Sequence, residues 1–163
     1  MNNTTETTHA RRIVVGFDGS ETAPEVLEWA ARQAVATDAE LQVCTTWHWP
    51  SAAGMWGAVL PDGYDPQAEA RRELDEAIDE LRTRHPSLRV RGEVDQGDAG
   101  TTLVAASEGA ELLVVGSRGH HELVGMVLAS VSEYCVTRAH CPVVVVRGET
   151  VPRLPTAGAS RVA

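Results

Sequence analysis

A chain of 163 residues fits one domain and can bury roughly 70% of the surface its unfolded form exposes. With 43% apolar and 23% charged residues it has an ordinary globular composition, and a formal charge of −9 argues against a general nucleic-acid or membrane surface. All 14 basic residues are arginine, which excludes a P-loop lysine, a Schiff-base lysine and any lysine general base; a bound phosphate must be held by backbone, hydroxyls and Arg.

Residues 1–10 are polar and expected to be flexible, without the basic and apolar regions of a signal peptide. Arg12 to Phe17 is a continuous apolar run that predicts a first strand, and Asp18-Gly19-Ser20 predicts a turn. Ser20 or Thr22 can cap a helix in which Pro24 occupies the first turn. Apolar residues at 23, 26, 27, 30, 31 and 34 give that helix a buried face, with bounds near Thr22 and Ala36. Leu41 to Trp47 predicts a second strand. Residues 48–64 are rich in Trp, Pro and Gly and predict a loop, in which Trp47, Trp49 and Trp56 stand close enough to pack, to meet a partner or to stack on a base.

A second helix is expected over Pro66 to Arg84, with Ala70, Leu74, Ala77, Ile78 and Leu81 inward and charges such as Arg72, Glu76, Asp75 and Asp79 in solvent. His85-Pro86 stops it. Leu88 to Val94 predicts a third strand, and Gly97 to Gly100 leads into a short helix ending by Gly109. Leu112 to Val115 is too short for a helix and suits a strand buried on both faces. Gly116 and Gly119 follow at once. Strand, glycine loop and helix N-terminus form an arrangement in which main-chain N–H groups can receive an anion. Ser130-Val-Ser-Glu133 has the pattern of a capping box for a helix to about Ala139, and Val143 to Val146 predicts a last strand. Residues 148–163 are expected to form a disordered tail.

Cys44, Cys135 and Cys141 are odd in number and lack paired spacing, which favours free thiols in a reducing compartment. No apolar run approaches the ~20 residues of a membrane span, and the expected location is the cytoplasm. His120 and His121 are adjacent and cannot share a helix face as metal ligands do, so no metal site is assigned. Five strands alternating with four helices imply an α/β fold: a single-domain open parallel sheet with helices on both faces. Its ligands sit beyond the strand carboxyl ends where strand order reverses.

Three pieces of the chain together resemble the universal stress proteins over residues 11–147: Asp18-Gly19-Ser20 after the first strand, Gly-x-x-Gly-x9-Gly-Ser/Thr after the fourth, and His140-Cys-Pro-Val-Val-Val-Val146 at the end. The resemblance implies a sheet of order 3-2-1-4-5 of the adenine nucleotide alpha hydrolase-like type. It also implies ATP, with or without Mg²⁺, in the family's ATP-binding branch, and a homodimer through Val143 to Val146. By the same resemblance Asp18 and the main chain near Thr46 would meet the adenine, Gly116, Arg118 and Gly119 would line the ribose and phosphates, and Ser130 and Val131 would offer a hydroxyl and an N–H to the outer phosphates. The chain departs from the pattern at Ala129, which replaces the last motif glycine, and at Glu122, a carboxylate in a loop suited to anions. Three functional classes stand open: a nucleotide-binding regulatory module with little or no hydrolysis, a weak ATPase or nucleotidyl transferase, and a ligand-free homodimeric interaction protein. No catalytic residue is assigned.

Overall fold

The computed structural model describes residues 11–49, 63–117 and 130–148, Ser130 by its main chain only. The expectations for residues 1–10, for most of the tryptophan-bearing loop, for the glycine loop from Arg118 to Ala129 and for the tail from 149 lie outside them. Strands and helices alternate as β1 (Arg12–Gly16), α1 (Ala23–Thr37), β2 (Glu40–Trp47), α2 (Pro66–Arg84), β3 (Val90–Gln96), α3 (Ala99–Ala106), β4 (Leu112–Gly116), α4 (Ser130–Arg138) and β5 (Val143–Val146). The five strands form one sheet in the order β3-β2-β1-β4-β5, and every pair is parallel.

Strand alternation divides the core into two layers. Ile13, Val15, Leu41, Val43 and Val114 face α1 and α2, whereas Val14, Cys44, Leu113 and Val115 face α3 and α4. The apolar positions expected for α1 are its six buried residues, Ala23, Val26, Leu27, Ala30, Ala31 and Ala34. In α2 the buried set is Pro66, Leu74, Ile78 and Leu81. Its outer face carries the salt bridges Arg71–Asp75, Arg72–Glu76 and Arg82–Asp79 in solvent, each worth little to stability.

Helix entry and exit depart from expectation in places. Neither Ser20 nor Thr22 caps α1 with its side chain: Thr22 occupies the N-cap at φ −92°, ψ −8°, a helical conformation that does not aim the hydroxyl back at the first turn. The two hydroxyls instead lie 3.3 Å apart and bond each other. By contrast Asp65 is extended and accepts from the Gln67 and Ala68 N–H groups, both at 3.0 Å, so α2 has a true side-chain cap. The third strand begins and ends two residues later than Leu88 to Val94, because Leu88 N–H donates to His85 O at 2.9 Å and belongs to the turn leaving α2. α3 stops at Ala106, where Ser107 Oγ turns back to Val104 O at 2.6 Å, and Gly109 at φ 70° completes the exit.

Candidate functional site

The strand order reverses at β1, with β2 on one side and β4 on the other. Helices on either side lead away from that line, so the carboxyl ends of β1 and β4 bound a crevice. Pairing of Ile13 with Leu112, Val14 with Leu113 and Val15 with Val114 sets the two ends level. Gly16 closes β1, and a Cβ there would stand 2.9 Å from Leu103 Cδ1; the missing side chain lets α3 seat directly against the floor below the crevice.

Past Gly16, Phe17 N–H still bonds Cys44 O at 2.8 Å, and then the chain turns. Asp18 Oδ1 accepts from Ser20 N–H at 3.0 Å across Gly19, whose φ of 67° only glycine takes at no cost. This turn fixes an exposed carboxylate at the lip, and its second oxygen has no hydrogen-bond partner among the described residues. Thr46 lies two residues beyond Cys44 as Asp18 lies two beyond Gly16, and Gly16 pairs with Cys44. The half-buried Thr46 stands one residue short of the end of β2, at the same end of the sheet as Asp18.

On the other bank Gly116 pairs with Val146, and Ser117 N–H bonds Val146 O at 2.8 Å, so the main chain stays in the ladder through Ser117. The helix joining β4 to β5 returns antiparallel to them, which brings its N-terminus to the carboxyl end of the sheet. There α4 opens at Ser130. The Val131 side chain packs into the core, while its N–H, in the first turn, has no acceptor within the helix. Asp18, Thr46, Gly116 and Val131 thus share one end of the sheet. Arg118 and Gly119 lie outside the described residues, as do His120, His121, Glu122 and Ala129, and so does the Ser130 side chain with its capping box.

Two further features were not evident in the sequence. Tyr64 joins the tryptophans: Trp49 lies 6.0 Å from Trp47 and 6.3 Å from Tyr64, both edge to face. Tyr64 and Trp49 are separated by a long loop, so no local periodicity links them. The β2–β3 half of the sheet is also open and polar on its α3 side. Arg91 pairs with Glu93 and donates to Gln42 Oε1 at 2.7 Å, and Gln42 Nε2 donates to Glu93 Oε2 at 2.6 Å. A groove of about 650 Å³ runs there from Arg12 and Glu108 to Asp95 and Thr101. It follows the length of α3 and is not the crevice at the strand ends.

Burial pushes the Cys44 thiol up to about 12 and Cys135 to about 11, so both stay protonated at neutral pH. All three cysteines are free. Among the described residues no group of three His, Cys, Asp or Glu side chains converges to hold a metal, and no helix is long and apolar enough to cross a membrane.

These features define a doubly wound parallel α/β module with a crevice at the reversal between β1 and β4. The model of the universal stress protein family matches residues 9–147, and the chain belongs to that family. It is 33% identical over 142 residues to one universal stress protein of Mycobacterium tuberculosis and 31% identical over 140 residues to another. Those alignments take in 84% and 85% of this chain but 48% and 49% of the relatives, so the chain spans about half their length. Among solved structures, a universal stress protein in complex with cAMP superposes with a TM-score of 0.65 at 26% identity, covering 86% of this chain and 98% of that one.

Proposed function

We propose that this chain is a nucleotide-binding regulatory module that holds an adenine nucleotide, ATP in the first instance, with little or no hydrolysis. The carrying observation is the crevice itself: the Asp18 carboxylate and the start of α4 flank the point where the strand order reverses. The donor set fits the ligand. Asp18 supplies an acceptor for the exocyclic amine of adenine, the main chain at Thr46 meets the base edge, and Val131 N–H at a helix N-terminus suits a phosphate oxygen. Gly116, Arg118, Gly119 and Ser130 complete the ribose and phosphate side. Hydrogen bonds to a charged group contribute roughly 1.5–3 kcal/mol each, and three or four hold a nucleotide without any lysine. The related structure bound to cAMP supports an adenine ligand. Mg²⁺ would arrive with the triphosphate. The absence of lysine from the whole chain removes one usual means of phosphoryl transfer and favours binding over turnover.

The same reading includes a homodimer through β5. Main-chain bonds run from Leu113 N–H to Pro142 O and from Ser117 N–H to Val146 O. By strand alternation Val144 also faces β4, leaving the main-chain groups of Val143 and Val145 directed away from the sheet. An edge of four valines, all only partly buried, suits pairing with a second copy. An odd number of cysteines without paired spacing supports a reducing compartment, the cytoplasm; a net charge of −9 disfavours nucleic acid as the partner.

Mass spectrometry of small molecules that co-purify with the native protein, followed by calorimetry with Mg-ATP, tests the reading. We expect binding in the wild type and, in Gly119→Val, affinity weakened by about tenfold or more. No heat at millimolar Mg-ATP selects the ligand-free interaction protein instead, and steady phosphate release above controls selects a weak ATPase.

A further inference from the structure

Three aromatic rings meet at the carboxyl end of β2. The ring planes of Trp47 and Trp49 cross at 80°, and those of Trp49 and Tyr64 at 69°. Edge-to-face contacts of this kind fix a ring's orientation. Each outer ring is anchored in turn. Trp47 O accepts from Gly97 N–H at 3.0 Å, which ties the end of β2 to the end of β3, and Tyr64 immediately precedes Asp65, the cap of α2. Trp49 is therefore held from two sides, yet 52% of its surface is exposed. Among the described residues neither core packing nor a hydrogen bond accounts for a large apolar ring kept in place and half exposed.

Its position supplies a reason. Thr46, at the same end of the sheet as Asp18, is followed at once by Trp47, and Trp49 comes two residues later. A base whose edge reaches Asp18 and the Thr46 main chain is within the span of the next few residues of the same strand end. We propose that Trp49 is a specificity-determining residue of the nucleotide site, its indole stacking on the purine; this rests on the adenine-nucleotide reading above. Trp47 and Tyr64 act as positioning residues that hold the indole ready. Stacking adds affinity for the base and none for the phosphates, so the site would separate nucleotides from inorganic polyphosphate, which main-chain amides alone do poorly.

Calorimetry on the full chain with ATP and, separately, with inorganic tripolyphosphate tests this. Trp49→Ala should raise the Kd for ATP about tenfold and leave that for tripolyphosphate unchanged, while Trp49→Phe should restore ATP binding to within about threefold of wild type. Tyr64→Ala, which frees the indole without removing it, should give a smaller loss confined to ATP. If Trp49→Ala binds ATP as wild type does, the stacking role is overturned and nucleotide binding stands. Equal losses for ATP and tripolyphosphate also overturn it, since they mark a disturbed fold rather than a lost base contact. A wild type that binds no ATP overturns the nucleotide reading and this inference with it.

Discussion

Asp18 and Asp98 illustrate how one residue type serves opposite ends. Asp98 caps α3: its Oδ1 accepts from Thr101 N–H at 2.8 Å and from Thr101 Oγ1 at 2.9 Å. Those two bonds, the backbone one foremost, hold its carboxyl below the ordinary aspartate value of 3.8. Because the folded pKa is lowered, the cap contributes fully above that ordinary value and is lost as pH falls through the lowered one. Asp98→Ala should cost about 1 kcal/mol at pH 7, read as a lower urea midpoint, and the gap to wild type should close in acid. Asp18 uses only one oxygen on its turn, and the other has no hydrogen-bond partner among the described residues. Both turns are legible in the sequence as Asp with a neighbouring glycine and hydroxyl. Which one caps a helix is not, as Thr22 shows: cap or no cap is decided by the φ and ψ that the flanking packing imposes.

Among the elements, helices declare themselves through burial on one face, and that is why the face of α1 could be read residue by residue. That of α2 was legible at Leu74, Ile78 and Leu81, with Ala70 and Ala77 only half-buried and Pro66 buried unforeseen. β3 was harder, since Leu88 is buried in a turn and Val90 half-buried in a strand, and an apolar residue does not say which. Its interior is also unusual. Val90 and Val94 pack toward α2 with Gly92 between them, where a Cβ would stand 2.6 Å from Ile78 Cδ1 and 2.9 Å from Leu74 Cδ2. Both of those side chains are buried. Gly92→Val should therefore overpack the α2–β3 contact and destabilise by about 1–3 kcal/mol, measured by thermal or urea unfolding. On the opposite side Arg91, Glu93 and Asp95 face the open half of the sheet, a charged alternation that makes sense only once no helix is seen to cover it. The aromatic triad was half legible: the tryptophans cluster in sequence, but Tyr64 reaches them only through the fold.

At the scale of the whole molecule, both layers of the core, the sheet order and the reversal point followed from the alternation of strands and helices together with the family's pattern. The bank of the crevice formed by β1 and β2 lies within the described residues, whereas Arg118 and Gly119 remain proposals resting on the family resemblance. Assembly belongs to this scale too. Val145 N–H points away from β4, so Val145→Pro removes an outward donor without breaking the ladder to Val115. It should lower the sedimentation coefficient at micromolar protein from that of a dimer to that of a monomer; an unchanged coefficient would count against pairing through this edge.

The two rims of the sheet differ in kind. β3 at one end carries Arg91, Glu93 and Asp95, while β5 at the other carries only valines. In a polymer chemist's language, the proposed pairing through β5 would make such a unit monofunctional. Coupling through that end would consume it, so growth would terminate after a single step and a fibre would have nowhere to begin.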